Sequence, residues 1–515
     1  MSRAKADGTP SPPEILQWLA AQSSGAYLVG GCIRDRLLGR PLHDLDLAVP
    51  AGGLALARRI ADHFGGDFYP LDEARGIGRA LFRSGQDTRL VVDVSDFRGP
   101  DLPSDLADRD FAINALAEDL AAPGHYIDLF HGLDDLQSRI IRPVGAGSIR
   151  SDPVRALRAA RLAAELGFSL AEETVDLIRL DGPALAGVSA ERVRDELARI
   201  LLDRHSARSL ALLDELGLLA IIFPELEPLR DMEQPAPHSL PGLAHSLETV
   251  RALECLAAPL LPARPGSELS VPLQEHAPWP EALGPLAPRL MHYLEQRLGD
   301  QRPRLTALKL AALLHDSGKA PAMAMHTDGR VHFIGHERLS QALAGGAARR
   351  LRLTGLEIRL VETVAQHHMR PLLLASVAGS HRRDRGDDIS AHAVYRFFRD
   401  TGDCGVGVLL HAMADHLATY RPDSAPEAWR HLLGICLQML GDYFGSYAKE
   451  AAPPPLLNGD DILRQLSLSP GPQIGILLDA VREAQACGEV NTREEALDLV
   501  RRLLVQGVSD LPACE

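Results

Sequence analysis

Lysine is close to missing from this chain. Four residues (Lys5, Lys309, Lys319 and Lys449) stand among 54 lysines and arginines, and the rest of the positive charge is arginine. A GC-rich coding bias accounts for the swap, yet the forked guanidinium suits phosphates and base edges better than an ammonium does. Local arginine clusters therefore carry more meaning than the total. Net positive charge is missing as well: the formal charge is −15, which argues against a protein that coats nucleic acid with a general basic surface. Paired cysteines are missing too, since Cys32, Cys255, Cys404, Cys436, Cys487 and Cys514 are scattered without a CxxC. That pattern fits reduced thiols in a cytoplasmic protein rather than a disulfide scaffold. No apolar run reaches the roughly 20 residues of a membrane helix. The opening MSRAKADGTPSPPE lacks the apolar core of a secretory signal, and no internal repeat is visible.

What is present suffices for several cores. A chain of 515 residues, 46% hydrophobic and 24% charged, divides into roughly three or four units. Strand character concentrates in AYLVGG (26–31), HDLDLAV (43–49), GRALFRS (78–84) and TRLVVDVSDF (88–97). From residue 150 onward helical periodicity takes over. The expected fold is an α+β head with a small mixed sheet and helices, followed by an all-α body. Composition breaks suggest a disordered tail 1–13, a head 14–149, a helical neck 150–230, a helical domain 231–450 with a Pro-rich inserted loop at 257–289, and a C-terminal helical module 451–515 behind the stiff AAPPP (451–455). In that module Thr492 and Glu495 form a capping box for TREEALDLVRRLL.

The first chemistry lies in LVGGCIRDRLLGRPLHDLDLAV (28–49). Gly30 and Gly31 end a strand and open a helix, where backbone N–H groups approach a phosphate, and Arg34 follows one turn later. Asp44 and Asp46 share one face of a strand, so their charges repel unless a cation sits between them. A divalent ion facing a triphosphate would neutralise all three; solvated aspartates at a strand end are the plainer alternative. Asp93 interrupts the apolar LVVDVSDF and is the candidate third carboxylate, unless it is an ordinary edge-strand residue. In DLADRDFAINALA (105–117), Arg109 and Asp110 precede an apolar helix and could bracket a ribose with its phosphates. In IRSDPVRALRAARLAAELGF (149–168), Asp152 as N-cap and Pro153 start a helix on which Arg155, Arg158 and Arg161 spread over roughly 120° of one face. Such a stripe is ordinarily a solvated face; beside the head, a phosphate or base partner is the alternative.

Taken in order, these motifs resemble the class II tRNA nucleotidyltransferase/poly(A) polymerase family of the DNA polymerase beta-like superfamily. DLFHGLDDLQSRIIRPVG (128–145) and SAERVRDELARILL (189–202) extend the match. The resemblance implies that Asp44 and Asp46 hold Mg²⁺, that Gly31 and Arg34 touch the incoming nucleotide, and that Arg109 and Asp110 address its sugar and phosphates. It implies that Asp152 and Arg155 read the base of CTP or ATP, with Arg158 and Arg161 extending the pocket. The 3′-hydroxyl of a tRNA would then attack the α-phosphorus and release pyrophosphate. Three departures stand out. Asp108-Arg109-Asp110 replaces the family's Arg-Arg-Asp, and Ser151 replaces the Glu before the selecting Asp. The segment GPDLPS (99–104) is short where many relatives carry a long flexible loop. In this family a short loop accompanies addition of CC without the terminal A, so a CC-adding enzyme is expected.

The body holds a second polar set: His245, the adjacent pair His315-Asp316, His336, His367, His368 and Asp415. A His-Asp pair ending an apolar helix is costly to bury unless paired or metal-bound. Separate helices delivering these groups inward would build a divalent site with mixed N/O ligands. The order resembles the HD phosphohydrolase superfamily. That resemblance implies a first metal set of His245, His315, Asp316 and Asp415, with His336 and His367 as partners for a second ion, the metal being Mn, Ni, Co, Fe or Mg. His368 and His416 read as ordinary helix-surface or cap residues. A poly(A) polymerase, an HD phosphohydrolase with a noncatalytic head, and a noncatalytic RNA-binding protein are the alternatives.

Overall fold

The computed structural model describes residues 10–22, 25–42, 44–84, 87–261, 279–299, 302–327, 329–380, 389–420, 426–447, 455–466 and 468–506. Residues 1–9 of the expected tail 1–13, the centre of the 257–289 insertion and most of the AAPPP linker lie outside them, while residues 12 and 13 already belong to the helix Pro12–Gln22. Two compact units emerge, one closing at Pro224 and the next starting at Glu225, a few residues short of the expected neck boundary.

In the first unit, strands β1 (Tyr27–Val29), β2 (Asp44–Val49), β3 (Asp67–Asp72), β4 (Ile77–Ser84), β5 (Asp87–Asp96), β6 (Leu116–Asp119) and β7 (Tyr126–Asp128) form one sheet in the order β3-β4-β5-β2-β1-β6-β7. The β2–β5 pair is parallel and its neighbours are antiparallel, so the sheet is mixed as expected. Alternation along β2 buries Leu45 and Leu47 while Asp44 stays exposed and Asp46 half-buried. The parallel register sets Asp46 directly opposite Asp93. Helix Gly53–Phe64 covers the sheet with Leu56, Ala57, Ile60 and Ala61.

One local expectation fails. The apolar run after Asp110 is a short 3₁₀ turn, Ala112–Asn114, leading into β6 rather than a helix. AINALA has helical propensity by itself, but Leu116–Asp119 is claimed by pairing with both β1 and β7, and tertiary pairing overrides propensity.

The neck follows in the same unit. Helix Val154–Leu166 packs on Ala190–Leu202 and Ser206–Glu215, burying Ala156, Leu157, Ala159, Ala160 and Leu162. Its first helical residue is Val154, and Asp152 accepts the Val154 N–H at 3.3 Å.

In the second unit, helix Arg304–Leu314 is buried at every position. Helices Gly242–Ala257, His336–Arg350, Gly355–His367 and Gly405–Thr419 pack against it. The expected loop at 257–289 is partly helical: Trp279–Leu283 forms a turn whose buried Trp279 indole donates to Leu256 O at 2.9 Å. The C-terminal module has its own core of Leu457, Ile462, Leu477, Val481 and Val500. Its capping box forms, with Glu495 N donating to Thr492 Oγ1 and Thr492 N to Glu495 Oε2. His392 and Arg396 of helix Ala391–Thr401 bind Glu483 and Glu489 of this module.

Candidate functional site

The turn from β1 into helix Gly31–Leu37 positions the first site. Gly30 has φ 84° and ψ −149°, a combination essentially reserved for glycine. A Cβ there would lie 2.9 Å from Arg109 Nη1 and 3.4 Å from Asp46 Oδ2. Three residues distant in sequence thus meet at one point. The Gly30 N–H donates to Leu116 O, so Gly30 serves by lacking a side chain and not, as expected, by offering its amide to a phosphate. At Gly31 a Cβ would lie 3.3 Å from Arg34 Nη2. The Arg34 guanidinium is buried and held by Asp35 and by Asn114 Oδ1 at 2.7 Å.

Asp44 and Asp46 share a face of β2, and Asp93 lies across from Asp46. Burial, then Asp44 and Asp93, push the Asp46 carboxyl up to about 6. Burial and Asp35 also raise Asp44, against the pull of Arg34. Crowded carboxylates with raised pKa values are what a cation site presents before the cation arrives, and their hard oxygen donors fit Mg²⁺. Asp93 differs from the pair, because Arg79 Nε and Nη2 grip its two oxygens at 2.7 and 2.8 Å. It could serve an ion only by sharing those oxygens.

Arg109 is aimed by Asp105, a fully buried carboxylate that accepts from its Nε and Nη2 at 3.2 and 3.0 Å. Asp105 was not singled out in the sequence, although an Asp four residues before an Arg was the available signal. Asp110 is spent inside the loop, accepting from Phe111 N at 2.8 Å and Asn114 Nδ2 at 3.0 Å and pairing with Arg158 Nε at 2.9 Å. Burial pushes its carboxyl up, but Arg158 and these hydrogen bonds prevail and hold it below the usual range. Asp110 therefore braces the turn and Arg158 instead of facing a ribose.

On the neck, Arg192 pairs with Asp152 Oδ2 at 2.7 Å. Arg155, lacking the family's Glu, is held by carbonyls: Asp108 O at 2.6 Å, Arg109 O at 3.3 Å and Ser148 O at 3.2 Å. Ser151 Oγ is a weaker partner at 3.4 Å. The guanidinium is thereby stapled to the backbone of the loop that presents Arg109. Arg161 departs from the expected pocket role, since Glu196 at 2.5 Å and Glu165 at 2.9 Å enclose it between helices.

The second unit gathers the histidines. His245 Nε2 meets Asp415 Oδ1 at 2.8 Å, and His315 Nε2 meets Asp316 Oδ2 at 3.1 Å. Asp316 Oδ1 faces His336 Nε2 at 3.4 Å and His368 Nε2 at 3.6 Å. Two sets are compact enough to close around an ion, His245 with His315 and Asp415, and His315 with Asp316 and His368, so that His315 belongs to both. His368, expected to be a surface or cap residue, is buried here. His367, expected in the set, lies beside Arg370 and Asp400 and is outside it. The helix ends at His367, so the direction of each ring follows from the terminal turn and not from periodicity. His416, also expected at the surface, is buried against Tyr420 and Trp429.

His315, His336 and His368 share one device. Each Nδ1 lies 2.8–2.9 Å from the carbonyl three residues earlier, that of Ala312, Phe333 or Ala365. A carbonyl only accepts, so Nδ1 carries the proton and each ring turns its Nε2 inward; at His315 burial opposes, but the facing Asp316 prevails and raises the pKa. His336 and His368 then face each other Nε2 to Nε2 at 3.2 Å, two lone pairs that repel unless a proton or a cation lies between. Burial and His315 depress His368 to about 3, which disfavours the proton. Lys319 Nζ lies 2.6 Å from Asp316 Oδ2 at the edge of the cluster.

Residues 26–142 match the family model for the Poly A polymerase head domain, and residues 167–229 that for the "Probable RNA and SrmB- binding site of polymerase A". The chain is 32% identical over 484 residues to an A-adding tRNA nucleotidyltransferase of Deinococcus radiodurans, covering 93% of this chain and 95% of that one. It is also 32% identical over 479 residues to a CC-adding tRNA nucleotidyltransferase of Thermus thermophilus, covering 92% of each. Among solved structures, a CCA-adding enzyme complexed with ATP superposes with TM-score 0.59 at 19% identity, covering 96% of this chain and 95% of that one.

Proposed function

The chain belongs to the class II tRNA nucleotidyltransferase family, and from that premise we propose that it transfers CMP or AMP from CTP or ATP to the 3′ end of tRNA without a template. The convergence of Gly30, Asp46 and Arg109 on one point carries this reading. Asp44 and Asp46 would hold Mg²⁺, which when bound neutralises the triphosphate and eases deprotonation of the attacking 3′-hydroxyl. Arg109, aimed by Asp105, binds the triphosphate, and the bare turn at Gly30 leaves it room. Asp152 and Arg155 would serve the base edge by sharing or giving up their present partners, Arg192 and the carbonyls of Asp108, Arg109 and Ser148. Nucleotide incorporation on tRNA ends of defined length, with wild type and Asp46→Ala in parallel, tests the assignment. Undiminished incorporation by the variant would refute it.

Restriction to CC addition is supported by the connection after Arg98. Asp101 caps the next helix by accepting from Ser104 N at 2.9 Å, and Arg98 N donates to Asp105 Oδ1 at 3.2 Å. A short segment stapled in this way leaves no long flexible arm. The A-adding and CC-adding relatives are equally identical to this chain, so overall identity does not choose between them. Incubation of a tRNA lacking CCA with CTP and ATP, followed by sequencing of the 3′ ends, does. Complete CCA addition would end the restricted reading.

The histidine cluster is read as an HD-type centre for divalent transition metals. Inward-turned Nε2 atoms around a shared carboxylate support this, since imidazole suits Fe and Ni while oxygen ligands suit Mg. When bound, such an ion would supply Lewis acidity toward a phosphoester. Asp316→Ala is expected to abolish metal-dependent phosphatase activity while nucleotidyl transfer persists. Retained phosphatase activity would count against the centre.

A further inference from the structure

We propose that His411 is an additional nitrogen donor of the His/Asp centre, one that neither the sequence motifs nor the resemblance assigns. This rests on reading the cluster as a metal centre. His411 is fully buried, and among the described residues neither its Nδ1 nor its Nε2 has a hydrogen-bond partner. It lies on helix Gly405–Thr419, one turn before Asp415, so the two side chains share a face. Its ring packs edge-on against His315 at 4.6 Å between centroids and near His368 at 5.9 Å. His315 belongs to both compact ligand sets and His368 to the one built on Asp316, so His411 lies beside the ring that the two sets share. The other neighbours on its own helix, Val408, Leu410, Ala412, Met413 and Ala414, are buried and apolar and offer it nothing.

Burying an imidazole with two unmet polar atoms costs on the order of several kcal/mol, and apolar replacement of such a group is neutral or favourable when nothing binds it. The residue is thus poorly explained as packing. His315, His336 and His368 each have an Nδ1 anchored to a carbonyl; His411 has no anchor and both nitrogens available. Its needs are met when an ion enters between His315 and His368. The centre then holds five imidazoles, His245, His315, His336, His368 and His411, around Asp316 and Asp415. That composition favours borderline transition metals over Mg²⁺.

Cobalt(II) titration of the full-length protein, followed by its visible d–d bands and by thermal melting, tests this. Wild type, His411→Leu, His411→Gln and Asp316→Ala are compared after circular dichroism shows each to be folded. The expected result is that both His411 variants change the d–d spectrum and weaken cobalt binding by about tenfold or more. His411→Leu is expected to melt higher than wild type without metal yet gain less on loading. Unchanged spectra and affinities in both variants, with the same melting gain in metal-free and loaded His411→Leu, would overturn the assignment and leave His411 an unsatisfied core residue. Cobalt binding by Asp316→Ala equal to wild type, or none by wild type, would overturn the centre itself and this assignment with it.

Discussion

Asp46 carries its proton up to about pH 6 because burial, Asp44 and Asp93 all disfavour its charge. The folded chain holds that proton more tightly than the unfolded chain does. Its contribution therefore favours the fold at low pH and is lost as pH rises from the ordinary carboxylate range through about 6. A divalent cation competes with the same proton. The melting gain given by Mg²⁺ should be small near about pH 5 and reach a plateau above about pH 7, and a gain independent of pH would contradict this. Asp46→Asn should melt higher than wild type without Mg²⁺ at neutral pH, respond little to Mg²⁺, and lose about a thousandfold in transfer rate. Gly30→Ala should cost about 1–3 kcal/mol and raise KM for the nucleotide by displacing Arg109; a variant with wild-type melting and KM would show the close approach to be unimportant. The aspartate pair was legible because strand alternation fixes which side chains share a face. Asn114 was not, since it anchors Arg34 from 80 residues away, and neither was the choice between His367 and His368.

At the scale of elements, the helix Ala391–Thr401 and the C-terminal module are joined by Arg396 and by an imidazole that holds two carboxylates. His392 Nδ1 lies 2.8 Å from Glu483 and Nε2 lies 2.9 Å from Glu489. Both partners only accept, so both nitrogens must carry protons and the ring is an imidazolium. Glu489 and Glu483 accordingly raise its pKa, with burial opposing, and Arg396 shares Glu483. The stabilisation is fully present below the unfolded-state value and disappears as pH rises through the raised folded one. With His392 and Glu489 open to solvent, the link is worth at most about 1 kcal/mol. Hydrogen exchange within Pro472–Ala486 should quicken at alkaline pH in wild type and be fast at both pH values in His392→Ala; a pH-independent rate ratio between the two proteins would remove the link. The capping box at Thr492 was readable because its partners are three residues apart. β6 was not, because its strand state is imposed by β1 and β7 and not by AINALA itself.

For the whole molecule, a net charge of −15 confines attraction for RNA to arginine stripes. tRNA affinity should fall with salt, with a log–log slope set by a few phosphates at about 0.7–0.9 per contact, and a slope near zero would contradict this. The order of a mixed sheet followed by helices was legible from the switch in periodicity near residue 150. The helical turn inside the proline-rich insertion was not, because Trp279 is held by a carbonyl of a preceding helix. The contact of His245 with Asp415 spans 170 residues. Unlike a disulfide, that contact is lost when the chain unfolds and leaves the unfolded state unrestricted, so it holds the distant helices together only while its donor and acceptor stay in the right protonation state. Acid, competing for those atoms, should therefore loosen this helical body at its most distant tie, and a chelator should do the same by way of the proposed metal centre.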